Sequence, residues 1–156
     1  MNRFEEIEIK NINDENLKIH ICEKILRSLP EWFGIEESIL EYIEGVKDKK
    51  FFSAFFYDKF IGFISLEDHS QFSSEAYVLG IIPEYHGMGI GKKLFEKAEE
   101  YLLSMGKKFI TVKTLSKRHP DINYMKTRKF YESIGFLPLE ELPELWGEEN
   151  PCVLMG

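Results

Sequence analysis

Apolar positions along the chain follow two alternating rhythms, and their order predicts a layered α/β architecture. Leu17, Ile21 and Ile25 recur at helical spacing after Asn13 and Asp14, which suit a helix cap, and Pro30 closes this first helix. Ile35, Ile39, Tyr42 and Val46 share one side of a second helix over residues 36–46. The texture then changes. Residues 51–56 and 60–66 are aromatic and β-branched runs joined at Asp58-Lys59, a hairpin pattern, and residues 76–82 form a third apolar run stopped by Pro83. From Ile90 onward, Leu94, Ala98, Leu102 and Met105 mark the most regular helix, with Gly106 placed to end it in a left-handed conformation. Residues 109–115 read as a strand, 124–134 as a helix ended by Gly135, and 136–142 and 152–155 as closing strands. The fold class expected is α/β of the α+β type, a mixed and mostly antiparallel sheet of about six to seven strands flanked by about four helices.

With 156 residues, 44% of them hydrophobic and 14% aromatic, the chain has material for one core and too little for two, so residues 1–156 are expected to form one domain. No run approaches the roughly 20 apolar residues of a membrane span. The first ten residues are charged throughout and lack a signal peptide's apolar centre, so a cytoplasmic location is expected. Cys22 and Cys152 have no histidine at metal-ligand spacing; they read as reduced structural thiols, and no metal is implied. The net charge of -7 argues against a nucleic-acid binder, but it conceals a basic centre. Residues 92–129 hold 11 Lys/Arg against 4 Asp/Glu, whereas residues 1–91 hold 9 against 17 and residues 130–156 hold 0 against 6.

That basic stretch begins where the chemistry is concentrated. A strand ending at Pro83 is followed by His86-Gly87-Met88-Gly89-Ile90-Gly91, with Lys92 and Lys93 beside it, and then by the strongest helix. Glycines let backbone approach a phosphate, and the free N–H groups of a helix's first turn point at it with the positive end of the dipole behind them. A diphosphate is the natural guest. A nucleotide P-loop would need glycine where His86 stands and Ser or Thr where Lys93 stands, and a dinucleotide fingerprint would need glycine at Lys92.

The run VLGIIPEYHGMGIGKKL, residues 78–94, resembles the coenzyme A signature of the GNAT superfamily of N-acyltransferases: Gln or Arg, two residues, Gly, any residue, Gly or Ala. His86 takes the first position. Downstream, residues 130–136, FYESIGF, are similar to the FYxxxGF segment of that family. The resemblance spans residues 51–136; the first helices and the last 20 residues match in type only.

The resemblance implies a sheet splayed at the acyl-coenzyme A site, acetyl-coenzyme A as co-substrate and an amine as acceptor, with neither nucleic acid nor membrane as partner. Backbone groups of Leu79, Gly80 and Ile81 would hold the pantetheine arm, with a bulge near Gly80. Amides from Gly87 to Lys92, those of Met88, Gly89, Ile90 and Gly91 included, would hold the pyrophosphate. Tyr131 matches the general acid that protonates the departing sulfur, Glu75 the base that draws the amine's proton through water, and the Ile81 N–H the group that polarises the thioester carbonyl. Asp68, His69 and Glu84 are rivals to Glu75. The Asn that the family often places seven residues before the tyrosine is Tyr124 here, with Asn123 one place earlier. Lys126, Arg128 and Lys129, with Lys92 and Lys93, are candidates for the nucleotide phosphates. The acceptor would be chosen by the first two helices and by residues 143–151, where Leu145 and Trp146 either wall a pocket or close the core or a homodimer interface. Two functional classes follow: an acetyltransferase, which Tyr131 favours, and an acyl-coenzyme A-binding domain without catalysis. Covalent relay through Cys22 or Cys152 is disfavoured, because neither has a neighbouring histidine or a helix start to activate it.

Overall fold

A computed structural model describes residues 6–147 and 149–156. The elements run β1 (Ile7–Asn11), α1 (Glu15–Arg27), α2 (Glu36–Gly45), β2 (Lys50–Phe56), β3 (Lys59–Asp68), β4 (Ser73–Ile81), α3 (Ile90–Ser104), β5 (Phe109–Leu115), α4 (Ile122–Ser133), β6 (Pro138–Leu142) and β7 (Cys152–Met155). The strands form one seven-stranded sheet in the order β1-β2-β3-β4-β5-β7-β6, antiparallel except for the β4–β5 pair. The α/β class and the mostly antiparallel mixed sheet are as expected. The strand absent from the sequence reading is β1, which pairs with β2 at the sheet's edge. Its signal was present in the alternation Ile7-Glu8-Ile9-Lys10, with Ile7 buried and Glu8 exposed, but the density of charge hid it.

Two cores lie on opposite faces of the sheet. On one, Ile90, Leu94, Phe95, Ala98 and Leu102 of α3 and Tyr131 of α4 pack on Ile64, Val112 and Met155. On the other, Ile21, Cys22, Ile25 and Leu26 of α1 pack on Phe51, Phe63 and Val78. α1 begins as expected, with Asp14 Oδ1 accepting the Asn16 N–H at 2.9 Å. Its buried stripe differs from the expected one: Leu17 is exposed, and Lys18 lies inward instead, its Nζ donating to the carbonyls of Lys47 and Lys49 at 3.2 and 2.7 Å. The hairpin turn sits at Tyr57-Asp58, one residue earlier than Asp58-Lys59, with Tyr57 in the left-handed region at φ 56°. α3 ends as expected, with Gly106 at φ 78°.

The feature that matters for function is where β4 and β5 part. Their parallel pairing covers only Ser73↔Phe109, Ser74↔Ile110 and Glu75↔Thr111. Beyond that point β5 pairs with β7 instead, from Val112↔Met155 to Leu115↔Cys152, and the upper half of β4 has a partner only in β3. A bulge lies at the parting: Ser65 pairs with Val78 and Leu66 with Ala76, leaving Tyr77 as the extra residue. Tyr77 and Val78 therefore both face the α1 core, while Ala76 and Leu79 face the α3 core. The bulge expected near Gly80 is thus three residues earlier. Gly80 is regularly paired with Phe63, and it is glycine for a packing reason: a Cβ there would stand 2.9 Å from Ile25 Cγ2 of α1.

Candidate functional site

A cavity of about 700 Å³ occupies the gap between the parted strands and passes from one face of the sheet toward the other. Backbone alternation decides which groups of β4 face it. Ile82 N–H donates to Ile61 O on β3, so in an antiparallel ladder Gly80 and Val78 also turn their groups to β3, and Leu79 and Ile81 turn theirs to the gap. The Ile81 carbonyl is met there by His86 Nε2 at 2.6 Å.

At the upper end stands the glycine loop, whose three glycines answer two needs. Gly87 and Gly89 have φ of 76° and 77°, which L side chains rarely adopt, and Gly89 caps α3 in that left-handed conformation with no side-chain acceptor on the first-turn N–H groups. Gly91 is glycine for close approach, since a Cβ would lie 2.7 Å from Phe130 Cζ and 3.3 Å from Ile81 Cδ1. The outcome is a helix start with open amides and a positive dipole end facing the cavity. His86, Gly87, Gly89, Ile90 and Gly91 line it, as do Leu79, Gly80 and Ile81. Met88 and Lys92 do not: Met88 is half-buried against the α3 core, and the Lys92 side chain is exposed.

α4 forms the opposite wall. Asp121 Oδ1 accepts the N–H groups of Asn123 and Tyr124 at 2.7 and 3.2 Å, which starts the helix two residues before the expected Tyr124. Asn123, Tyr124, Lys126, Thr127, Phe130 and Tyr131 all line the cavity. The Asn123 amide has no partner among the described residues, whereas the Tyr124 hydroxyl is used, donating to Trp32 O at 2.8 Å. Trp32 returns the contact, its Nε1 donating to Thr127 Oγ1 at 3.0 Å, and its indole meets the His86 ring edge-on at 5.8 Å. The segment between α1 and α2 is thereby strapped to α4 across the gap. Arg128 is spent elsewhere, donating to the Leu115 and Ser116 carbonyls at 2.8 and 3.2 Å.

Tyr131 is 6% exposed, enclosed by Phe95, Phe130 and Phe136. Burial first, then the neighbouring Tyr124 and Tyr42 phenols, push its pKa well above the ordinary tyrosine value. Its hydroxyl has no protein partner among the described residues, and its ring lines the cavity. At the lower end, Glu75 occupies the last position of the parallel pairing and is 6% exposed. Its Oε1 lies 2.6 Å from His69 Nε2 and accepts from Lys113 Nζ at 3.1 Å. Lys113 and Ala76 line the cavity, and Glu75 stands directly behind them. Glu67 joins His69 and Glu75 with ligand atoms within 4.8 Å of one another, but a cation there would have to displace the Lys113 ammonium from Oε1. Of the other rivals to Glu75, Asp68 Oδ1 accepts from Ser74 Oγ at 2.5 Å and Glu84 is exposed on a single turn, Pro83–Tyr85; neither lines the cavity.

The family of this architecture is decided by a sequence profile: the model described as the Acetyltransferase (GNAT) family matches residues 18–136. The chain belongs to the GNAT acetyltransferase family. No curated protein matches it significantly. Among solved structures, a GNAT-family protein from Desulfovibrio desulfuricans superposes with a TM-score of 0.82 at 15% identity over 96% of each chain. An acetyltransferase from Streptococcus agalactiae gives 0.76 at 17% over 97% of this chain and 98% of that one. An aminoglycoside 6'-N-acetyltransferase complexed with coenzyme A gives 0.73 at 22%, over 95% and 94%. At such identities the likeness concerns the fold.

Lining residues of this GNAT chain that escaped the sequence reading in these roles include Trp32, Phe33, Tyr42, Tyr77, Lys113, Thr114 and Thr127. Thr114 is the most telling, because it is 3% exposed on the cavity wall and its Oγ1 has no hydrogen-bond partner among the described residues. Trp146 lines the cavity and Leu145 is exposed outside it. Cys22 and Cys152 are buried, and burial raises their pKa values to about 12 and about 11, which suits inert thiols. Among the described residues, no helix is long and apolar enough to cross a membrane.

Proposed function

We propose that the chain transfers an acetyl group from acetyl-coenzyme A to a primary amine by direct attack, both substrates being bound together. The observation that carries this reading is the parted strand pair: outward backbone groups of Leu79 and Ile81 lead from a helix start with open amides to a buried carboxylate and a buried phenol.

The residues present fit the coenzyme. The amides from Gly87 to Lys92 would take the pyrophosphate, Leu79 and Ile81 the pantetheine amides, and Lys126 on the rim the nucleotide phosphates. Two polar groups left over by the fold point to the same occupant: the Asn123 amide and the orphaned Thr114 Oγ1, both on the cavity wall. Asn123 thus serves where Tyr124 cannot, since the tyrosine hydroxyl holds the Trp32 strap.

Acetyl-coenzyme A supplies an activated acyl thioester whose sulfur needs a proton on departure. Tyr131 provides it: a phenol on the cavity wall, with no competing partner among the described residues, is placed as a donor. Glu75 receives the amine's proton through water, and His69, 2.6 Å from Oε1 with 43% of its side chain exposed, gives that proton a route to solvent. The carbonyl is polarised by the Leu79 N–H in preference to Ile81. At about 3.3 Å per residue, Ile81 lies some ~20 Å along β4 from Glu75, too far for both to act at one carbon, whereas Leu79 is ~13 Å away, a span that the Glu75 side chain and a water can bridge.

The test is calorimetric binding of acetyl-coenzyme A to the intact chain, followed by thiol release on addition of amines. Failure of coenzyme to bind would defeat the proposal, as would thiol release that no amine accelerates.

A further inference from the structure

The acceptor has to arrive on the face of the sheet that carries Glu75. That face belongs to α1 and α2: Lys113 points there to reach Glu75, and the bulge turns Tyr77 to the same side. The wall waiting there is aromatic. Phe33 meets Tyr42 edge-on at 5.8 Å, and Tyr42 meets Tyr77 at 5.3 Å, so the three rings brace one another along the cavity. Tyr77 is seated over Gly45 of α2, where any side chain would collide with its phenol. Burial first, then the neighbouring Tyr124 phenol, raises the Tyr42 pKa well above the ordinary tyrosine value.

The charges of the lining are equally specific. Among the described residues no Asp or Glu lines the cavity; its charged side chains are Lys113 and Lys126, with His86 beside the glycine loop. Of the carboxylates that act on the ring wall, Glu75 already accepts from Lys113 and bonds His69, and Glu41 and Glu67 lie outside the lining. An ammonium group beyond the reacting amine would stand near Lys113 with no carboxylate in the lining, among the described residues, to pair with it.

We propose that the acceptor is a monoamine carried on an aromatic body, an arylalkylamine, held against the wall of Phe33, Tyr42 and Tyr77, and that amines with several ammonium groups are excluded. The inference rests on the acetyl-transfer reading and narrows it. Flat rings gain from the edge-to-face arrangement beyond the area they bury, which favours an aryl over an alkyl body of similar size. The shared fold with an aminoglycoside acetyltransferase carries no acceptor with it, because the acceptor is read from the wall and not from the sheet.

The experiment compares 2-phenylethylamine, hexylamine, spermidine and kanamycin as acceptors for the intact chain at saturating acetyl-coenzyme A, with thiol release as readout and coenzyme affinity measured separately by calorimetry. The expected kcat/KM for 2-phenylethylamine exceeds those of spermidine and kanamycin by about 100-fold or more. Tyr42→Leu, which keeps apolar volume and removes the ring, is expected to raise KM for 2-phenylethylamine about tenfold, to affect hexylamine less and to leave acetyl-coenzyme A affinity unchanged. Phe33→Leu is the second variant should Tyr42→Leu fail to fold. Spermidine or kanamycin turning over as efficiently as 2-phenylethylamine overturns the acceptor assignment while acetyl transfer stands, and so does an unchanged ranking of amines in both variants. Absent coenzyme binding, or thiol release with none of these amines, overturns acetyl transfer itself.

Discussion

Replacing Tyr131 by Phe separates chemistry from packing more cleanly than any other substitution in the site. The ring is enclosed by Phe95 at 6.0 Å and by Phe130 and Phe136 at 5.6 Å each, and phenylalanine keeps all three contacts. The hydroxyl that is lost has no protein partner among the described residues, so no buried acceptor is orphaned by its removal. Stability should therefore stay within about 0.5 kcal/mol of the parent in urea denaturation. Coenzyme affinity by calorimetry should be unchanged as well, because binding is assigned to backbone groups and to Asn123, Thr114 and Lys126. The loss should fall on kcat for thiol release, by roughly 10²- to 10⁴-fold, the range for a positioned general acid. A decrease smaller than about tenfold would show that the leaving sulfur draws its proton from elsewhere. A stability loss above about 1 kcal/mol that tracked the activity loss would instead make Tyr131 a packing residue.

The two kinds of glycine in the loop should respond differently. Gly91→Ala is expected to cost about 1–3 kcal/mol in urea denaturation by pressing on Phe130, whereas Gly87→Ala, with open space but a φ of 76°, should cost about 1–2 kcal/mol and weaken acetyl-coenzyme A binding measured by calorimetry. Thr114→Val should move two observables in opposite directions: unchanged or higher stability, since an unmatched buried hydroxyl disappears, and coenzyme affinity lower by roughly 2- to 10-fold. Stability should also decline in alkali. Cys22 is raised from 9.0 to about 12 by burial, so the folded chain keeps a proton that the unfolded chain gives up above pH 9; full stability below that pH is lost progressively toward pH 12, by at most about 1.4 kcal/mol per pH unit from this thiol. Tyr124 and Cys152 shift the same way, and urea titrations at intervals between pH 8 and 11 under reducing conditions would register the slope.

What could be read from the sequence follows the reach of local rules. The most regular helix, its Gly106 terminus and the strands at Phe109–Leu115 and Cys152–Met155 rest on period and turn chemistry within a few residues, and they lie where expected. The glycine loop was legible because phosphate-type sites require glycines in a spacing that is itself local. The bulge was not. Tyr77 carries no mark of an irregular backbone, and its displacement is fixed by how β4 registers against Ser65 and Leu66, residues about a dozen positions away. Thr114 and Lys113 escaped for a similar reason: in β5 they read as ordinary alternation, and only the departure of β4 turns their side chains into cavity wall. Bulk charge was equally silent about the site: a chain of net charge -7 has a lining that carries lysines and no carboxylate among the described residues.

The position of the bulge explains why these features occur together. Glu75 and Thr111 form the last parallel pair, and the extra residue follows two positions later, where added twist turns the remainder of β4 away from β5. Three consequences follow from that one irregularity. β5 is released to pair with β7, which leaves the backbone of Leu79 and Ile81 without a neighbour on one side. Tyr77 is delivered to the α2 face, where it completes the ring wall with Tyr42 and Phe33. Glu75, fixed at the vertex by Lys113 and His69, stays at the floor of the gap while the glycine loop stands at its top. The proposed coenzyme channel, acceptor wall and proton acceptor thus share a single structural origin. A glycine loop with these residues on an unparted sheet could hold a diphosphate at its helix start, but it would have no opening in which an acyl group and an amine could meet.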